Sequence, residues 1–275
     1  MYLFILLLST CLNNLLPSNL CAEPLQILTA SSNYLMKYIS KKEGGLSEYL
    51  KTLKVNLLVS SSKVLVHGDI VPTTTRNADP CTAIGCKWPK TGSYVYVPYS
   101  IGPEYSNQER NIIINALLTF HASTCIRFVW RTSQTDFIHF FSGQGCYSYV
   151  GRQRGRQEIS LQRNGCLYQA TVQHEVLHAL GFHHEQVRSD RDQYVRILTG
   201  NIIPGKEKNF VKVQTNNLQT PYDFNSVMQY GRLAFSKNGQ PTMVAKSNPN
   251  LNFGNASQMS ANDIARVKRL YGCCE

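Results

Sequence analysis

No Cys-x-x-Cys pair occurs in the 275 residues, which removes the usual framework of a closed structural zinc site. There is no internal repeat and no low-complexity tract, which excludes a solenoid or a compositionally disordered scaffold. After the first sixteen residues no long apolar run follows, so a membrane span is not expected. Acid is scarce, with 17 Asp and Glu against 28 Lys and Arg and a net charge of +11. Past Arg76 the surplus persists, at 21 basic to 13 acidic residues. Such a surface attracts acidic partners. With no nucleic-acid-binding motif beside the charge, acidic protein or glycoprotein is expected and nucleic acid is not. Arg152, Arg154 and Arg156 form the densest basic cluster and read as a solvated loop.

What is present begins with an apolar stretch from Tyr2 to Leu16, closed by Pro17, Ser18 and Asn19. It lacks a basic leader but is too short for a comfortable span, and reads as a signal peptide over residues 1–22, cleaved after Ala22. The expected product is secreted, a route compatible with storage in secretory granules, and has no membrane partner. Residues 23–76 differ in composition, carry Lys and Ser with a helical pattern around Leu46 to Leu58, and read as a propeptide. No cysteine falls among them, so a thiol latch is not available to this segment. Residues 77–275 are the right size for one domain, or for two lobes that share a cleft.

The chemistry is concentrated in one run, HEVLHALGFHH. His174 and His178 stand four apart, so on a helix both rings can aim at one ion from a single face. Glu175 points slightly round that face, where its carboxylate can serve as general base and leave the ion to the imidazoles. Gly181 lets the chain leave the helix sharply, because a glycine accepts positive φ without a Cβ penalty. His184 then returns as third ligand. Three neutral imidazoles around one Zn²⁺ leave a fourth position open, as in catalytic zinc. His183 falls one position short of this spacing and reads as a neighbour.

Downstream, Ser226-Val227-Met228-Gln229-Tyr230 follows a turn-like Tyr222-Asp223-Phe224-Asn225 segment. With His184-Glu185-Gln186 and Arg188-Ser189-Asp190-Arg191-Asp192 in the same order, the chain resembles the metzincins and, within them, the astacin family. The resemblance runs from about Asn77 to Cys273. It includes Cys125-Ile126-Arg127-Phe128, Gly145-Cys146-Tyr147-Ser148-Tyr149-Val150-Gly151 and Leu270-Tyr271-Gly272-Cys273. It implies an α+β, two-lobed metzincin-like zinc protease domain with a twisted mixed sheet and an active-site helix. The implied activity is a secreted zinc endopeptidase, monomeric, with one Zn²⁺ per chain, acting on extracellular protein or peptide. Met228 would form an apolar floor under the metal. Tyr230 would be an extra ligand that swings away to the oxyanion, and Gln229 stands where many members carry His.

Seven cysteines remain past the signal. An extracellular compartment makes disulfides their natural use. The resemblance implies Cys125 with Cys273, Cys146 with Cys166, and a small loop between Cys81 and Cys86. That extra N-terminal pair is similar to the six-cysteine astacins of fish, of which egg-envelope-digesting hatching enzymes are the best-known type. Cys274 is then a free thiol, an intermolecular link, or a competitor for Cys125. In Val66-His67-Gly68-Asp69-Ile70 the Gly-Asp pair is similar to the family's Phe-x-Gly-Asp element, with Val66 at the Phe position. By that likeness Asp69 would take the zinc's open position. Activation would cut between Arg76 and Asn77 by a trypsin-like protease, and the freed α-amino group of Asn77 would move towards Glu185.

For the framework, Ser106-Asn107-Gln108-Glu109 predicts a capping box, with Ile112, Ile113, Ala116, Leu117 and Phe120 along one helical face. Tyr94–Val97, Ile126–Trp130, Phe137–Phe141 and Glu158–Leu161 are strand candidates, and a last helix starts at Ser260 with Asp263 as capping partner. Sheet and helix come before the metal motif and looser structure after it. A protease holds an extended peptide along an edge strand. The segment from Phe137 to Gly145 is the candidate by resemblance. Asn255-Ala256-Ser257 is the one glycosylation sequon. Two other classes stand beside the enzyme: a catalytically silent secreted binding protein, which would have lost the base or a ligand, and a disulfide-stapled structural protein using zinc for stability alone. Egg-envelope glycoprotein is the substrate suggested by resemblance, and another epithelial or matrix protein is its alternative.

Overall fold

The computed structural model describes residues 65–72 and 86–273. The signal segment, most of the propeptide, Arg76, Asn77, Cys81 and Cys274 lie outside the described residues. The upper part is a six-stranded mixed sheet. Strands β1 (Lys90–Thr91), β2 (Tyr94–Ile101), β3 (Ile126–Trp130), β4 (Phe137–Phe141), β5 (Cys146–Tyr147) and β6 (Arg156–Leu161) run across it. In space the order is β1-β2-β4-β6-β5, and β3 pairs with the other side of β2. The β2–β3, β2–β4 and β4–β6 pairs are parallel, while β1–β2 and β5–β6 are antiparallel.

Alternation explains the strands: Val95, Val97, Tyr99 and Ile101 point into the core, as do Ile138 and Phe140. The second strand continues past Pro98 to Ile101 because this alternation continues, and β6 starts two residues earlier than predicted. Helix α1 (Asn107–Ser123) opens on the predicted capping box, with Ser106 and Glu109 bonded reciprocally, and buries Ile113, Ala116, Leu117 and Phe120. Helix α2 (Gln169–Leu180) packs beside it, with Val172, Val176, Ala179 and Leu180 fully buried.

Beyond α2 the chain is less regular. Four short 3-10 turns and a two-stranded pair, β7 (Val195–Ile197) with β8 (Met243–Ala245), enclose a second small core of Val195, Tyr222, Met243, Ala245 and Phe253. Helix α3 (Ala261–Tyr271) returns to the main core and starts on Ser260 capped by Asp263. The Cys125–Cys273 disulfide ties its end to β3 across 148 residues, a loop whose closure is worth on the order of 4–5 kcal/mol. Cys146–Cys166 links β5 to the approach of α2. Cys86 is also disulfide-bonded.

One expectation is overturned. Phe137–Phe141 is not an edge: β4 lies between β2 and β6 and hydrogen-bonds to both. Its apolar alternation served burial on a parallel interior strand. The free edge on that side belongs to β5 and the residues that follow it.

Candidate metal centre

Gly181 ends α2 at φ 112°, and its N–H and that of Phe182 close on the carbonyls of His178 and Leu177. This reversal carries the chain to His184, which starts the 3-10 turn Glu185–Val187. The three imidazoles then converge. His174 Nε2 is 3.1 Å from His178 Nε2 and 3.2 Å from His184 Nε2. Asp69, from a segment more than a hundred residues earlier, completes the group. Its Oδ2 is 3.2 Å from His174 Nε2, and its Oδ1 is 3.1 Å from His184 Nε2 and 3.5 Å from His178 Nε2.

These four residues form a group that could hold a metal ion. Their spacing fits zinc: ligand atoms at about 2.0–2.1 Å in a tetrahedron lie roughly 3.3 Å apart. The donor chemistry fits too. His174 Nδ1 contacts the Val227 carbonyl at 2.7 Å and His178 Nδ1 the Phe182 carbonyl at 2.7 Å. A carbonyl takes only a proton donor, so both Nε2 atoms are left with lone pairs towards one point. His184 Nδ1 is buried without a partner among the described residues. His183 stays outside the group, and burial pulls its ring down to about 3. Burial resists ionisation of Asp69, yet the charge of His184 and the bonds to all three imidazoles hold its carboxyl well below the usual range.

Glu175 is 1% exposed, and its Oε2 has no hydrogen-bond partner among the described residues. Burial, with the charge of Asp69 added, holds its carboxyl well above the usual range. Such a carboxylate can exchange a proton with a molecule placed beside the metal group.

The Ser226–Tyr230 turn lies under these ligands. Met228 is 2% exposed and belongs to the main core, while its carbonyl accepts the N–H of Glu185 at 2.9 Å. Gln229 accepts from the Tyr222 hydroxyl at 2.5 Å and donates to the Tyr230 carbonyl. The Tyr230 ring lies 4.5 Å from that of His184, and its hydroxyl donates to the carbonyl of His67. Burial pushes this hydroxyl well above the ordinary tyrosine range.

The Val66–Ile70 segment folds as a tight turn closed by two backbone bonds between its ends. Beyond it, Ser148 N–H donates to the Asp69 carbonyl and Val71 N–H to the Ser148 carbonyl, both at 2.9 Å, in a parallel bridge. The segment therefore occupies the free edge next to β5. Gly68 stands at φ 92°, and a Cβ there would meet the Tyr230 hydroxyl at 2.7 Å and the Phe235 ring at 3.1 Å.

Glu185 is 2% exposed and its carboxylate is held from within the domain, mostly through Oε1. Arg266 binds it through two bonds of 2.7 and 2.8 Å, Arg188 adds one of 3.2 Å, and the Asp223 N–H one of 2.7 Å. Sequence reading quoted Arg188 only within the family string and did not single out Arg266. It also read Asp263 only as a cap, whereas its carboxylate braces the turn through Ser226 Oγ at 2.6 Å and the Val227 N–H at 3.0 Å. No local pattern marks residues that act on a partner so distant in sequence.

Among the described residues, no helix is long and apolar enough to cross a membrane. The family model described as Astacin, a peptidase family, matches residues 83–272. High choriolytic enzyme 1 of Oryzias latipes is 49% identical over 216 residues, covering 78% of this chain and 80% of that protein. The low choriolytic enzyme of the same fish is 43% identical, with 78% and 80% covered. The solved structure of high choriolytic enzyme 1, described as a hatching enzyme zinc-protease, superposes with a TM-score of 0.70 at 50% identity and covers 72% of this chain and all of that one. A zinc-fitting His group on a mixed-sheet framework and this breadth of likeness converge on one conclusion: the chain belongs to the astacin family of peptidases and is a zinc metalloendopeptidase.

Proposed function

We propose that the protein is a secreted endopeptidase made as a zymogen, in which Asp69 latches the zinc site and cleavage after Arg76 opens it. The observation that carries this reading is the Asp69 carboxylate lying within 3.5 Å of three imidazole nitrogens while its backbone follows the edge beside β5. An extended substrate needs that same edge. In the open enzyme His174, His178 and His184 hold the zinc, which supplies Lewis-acid polarisation of the scissile carbonyl. Glu175 takes the proton of the attacking water and returns it to the leaving amine. Tyr230, released from the His67 carbonyl, donates to the oxyanion of the substrate. Met228 packs beneath the ligands.

Processing divides the chain into 1–22, 23–76 and 77–275. The freed α-amino group of Asn77 joins Arg266 and Arg188 at Glu185, where Oε2 accepts a single bond from the side chains. Egg-envelope glycoprotein is the proposed substrate, supported by likeness to a hatching enzyme zinc-protease and by the basic balance of the chain.

The full chain, treated with trypsin, should acquire an N-terminus at Asn77, lose hydrolysis of a peptide library on chelation and regain it with zinc. An Arg76→Ala chain should stay latent. Full activity without cleavage would overturn the zymogen reading, and hydrolysis indifferent to chelation the zinc chemistry. A second test addresses the latch. An added Cβ at residue 68 strains a positive-φ turn by about 1–3 kcal/mol. Gly68→Ala should therefore raise the activity of the uncut chain roughly tenfold, and an uncut variant as silent as wild type would refute the latch.

A further inference from the structure

The sheet has a second edge, β3, four strand positions from β5 and therefore roughly 19 Å away across the sheet. Beside it opens a groove of about 340 Å³ lined by Ser93, Tyr94, His121, Arg127, Lys268 and Cys273, among others, with no acidic side chain among the described residues of its wall. None of its lining residues belongs to the metal group of Asp69, His174, His178 and His184.

Three features of this groove and of the residues beside it point to a ligand. Arg127 and Lys268 have no carboxylate partner among the described residues. Arg127 donates only to the backbone carbonyls of Thr124 and Ile126. Next, two tyrosines stay unusually open: Tyr94 is 41% and Tyr96 44% exposed, with their rings edge to face at 6.3 Å. The guanidinium of Arg127 lies over the Tyr94 ring at 4.3 Å, so ring and cation present one surface. Lastly, Lys87 and Lys90 donate to the carbonyls of Leu270 and Gly272 at the end of α3, adding positive charge next to Cys273.

The start of the same edge, where it borders the groove, is closed to an added peptide strand. The Phe128 N–H donates to His121 Nε2 at 2.7 Å, and the Cys125 N–H points to Cys273 Sγ at 3.1 Å. With the Ile126 N–H also held by Thr124 Oγ1, a peptide would find the main-chain donors at the groove end of the strand already taken. Recognition is left to charge, flat rings and hydroxyls, which suits a saccharide bearing sulfate or carboxylate groups. The geometry points to an anionic-glycan exosite in this groove, a surface that holds the glycan part of a substrate or matrix while the zinc site, towards the opposite edge of the sheet, cuts protein.

Binding can be measured on the uncut full chain, so the outcome does not depend on the protease being active. A heparin-derived octasaccharide is the probe, and polyglutamate of similar charge the control. Lys268→Glu and Tyr94→Ala should each weaken octasaccharide binding roughly tenfold with unchanged thermal unfolding. Lys246→Glu, an equal charge change at an exposed residue away from the groove, should leave it within about twofold. The proposal is overturned if the octasaccharide fails to bind at about 0.15 M salt, or if Lys246→Glu weakens it as much as Lys268→Glu. Polyglutamate bound as tightly and lost with the same two variants would also overturn it, in favour of an acidic-peptide surface.

Discussion

Glu175→Gln should abolish nearly all peptide hydrolysis by the processed enzyme while leaving zinc content and thermal stability as they are. The carboxylate is 1% exposed, adjoins the His group in sequence, and carries a buried oxygen without an internal partner. Its replacement by an amide of the same shape therefore breaks no hydrogen bond at that oxygen. An amide cannot accept the water's proton, and loss of general acid–base catalysis costs on the order of 10²–10⁴ in rate. The measurement is kcat on a short peptide, alongside metal analysis and a melting curve. Residual turnover above about a tenth of wild type would remove Glu175 from its role. Loss of zinc together with activity would mean the residue supports the metal group instead.

Glu185→Ala should be the most damaging single change to stability. Its carboxylate holds Arg266 and Arg188, whose side chains are 8% and 6% exposed, and also accepts the Asp223 N–H. Removing the one acid leaves two buried guanidinium groups without their shared counter-charge, a loss of about 3–5 kcal/mol. For a domain of this size that corresponds to a fall in Tm of roughly 6–20 °C. The double variant Glu185→Ala/Arg266→Met should recover part of this, because the stranded charge leaves with its partner. A single variant that melts within about 2 °C of wild type would show that the arginines find other acceptors and that the cluster is not a structural keystone.

Local and distant geometry were unequally legible. The capping boxes at Ser106 and Ser260, the apolar face of α1 and the exact span of β3 followed from neighbours within seven residues. The edge of the sheet did not. Phe137–Phe141 has the alternation of any half-buried strand, and only its pairing to β2 and β6 placed it inside. Likewise Asp263 read only as a helix cap and Arg266 had no role, because their partners Ser226 and Glu185 lie 37 and 81 residues away.

The sequence alone determined which residues could share one ion. Helical periodicity sets His174 above His178, and a glycine at positive φ returns the chain for His184, all within eleven residues and without reference to the remaining fold. Only tertiary structure decided what surrounds them. The Val227 carbonyl that orients His174 comes from 53 residues downstream, and the Asp69 carboxylate from 105 upstream. Such contacts depend on strand order, buried area and loop closure, which are properties of the whole chain and leave no spacing in the sequence to read.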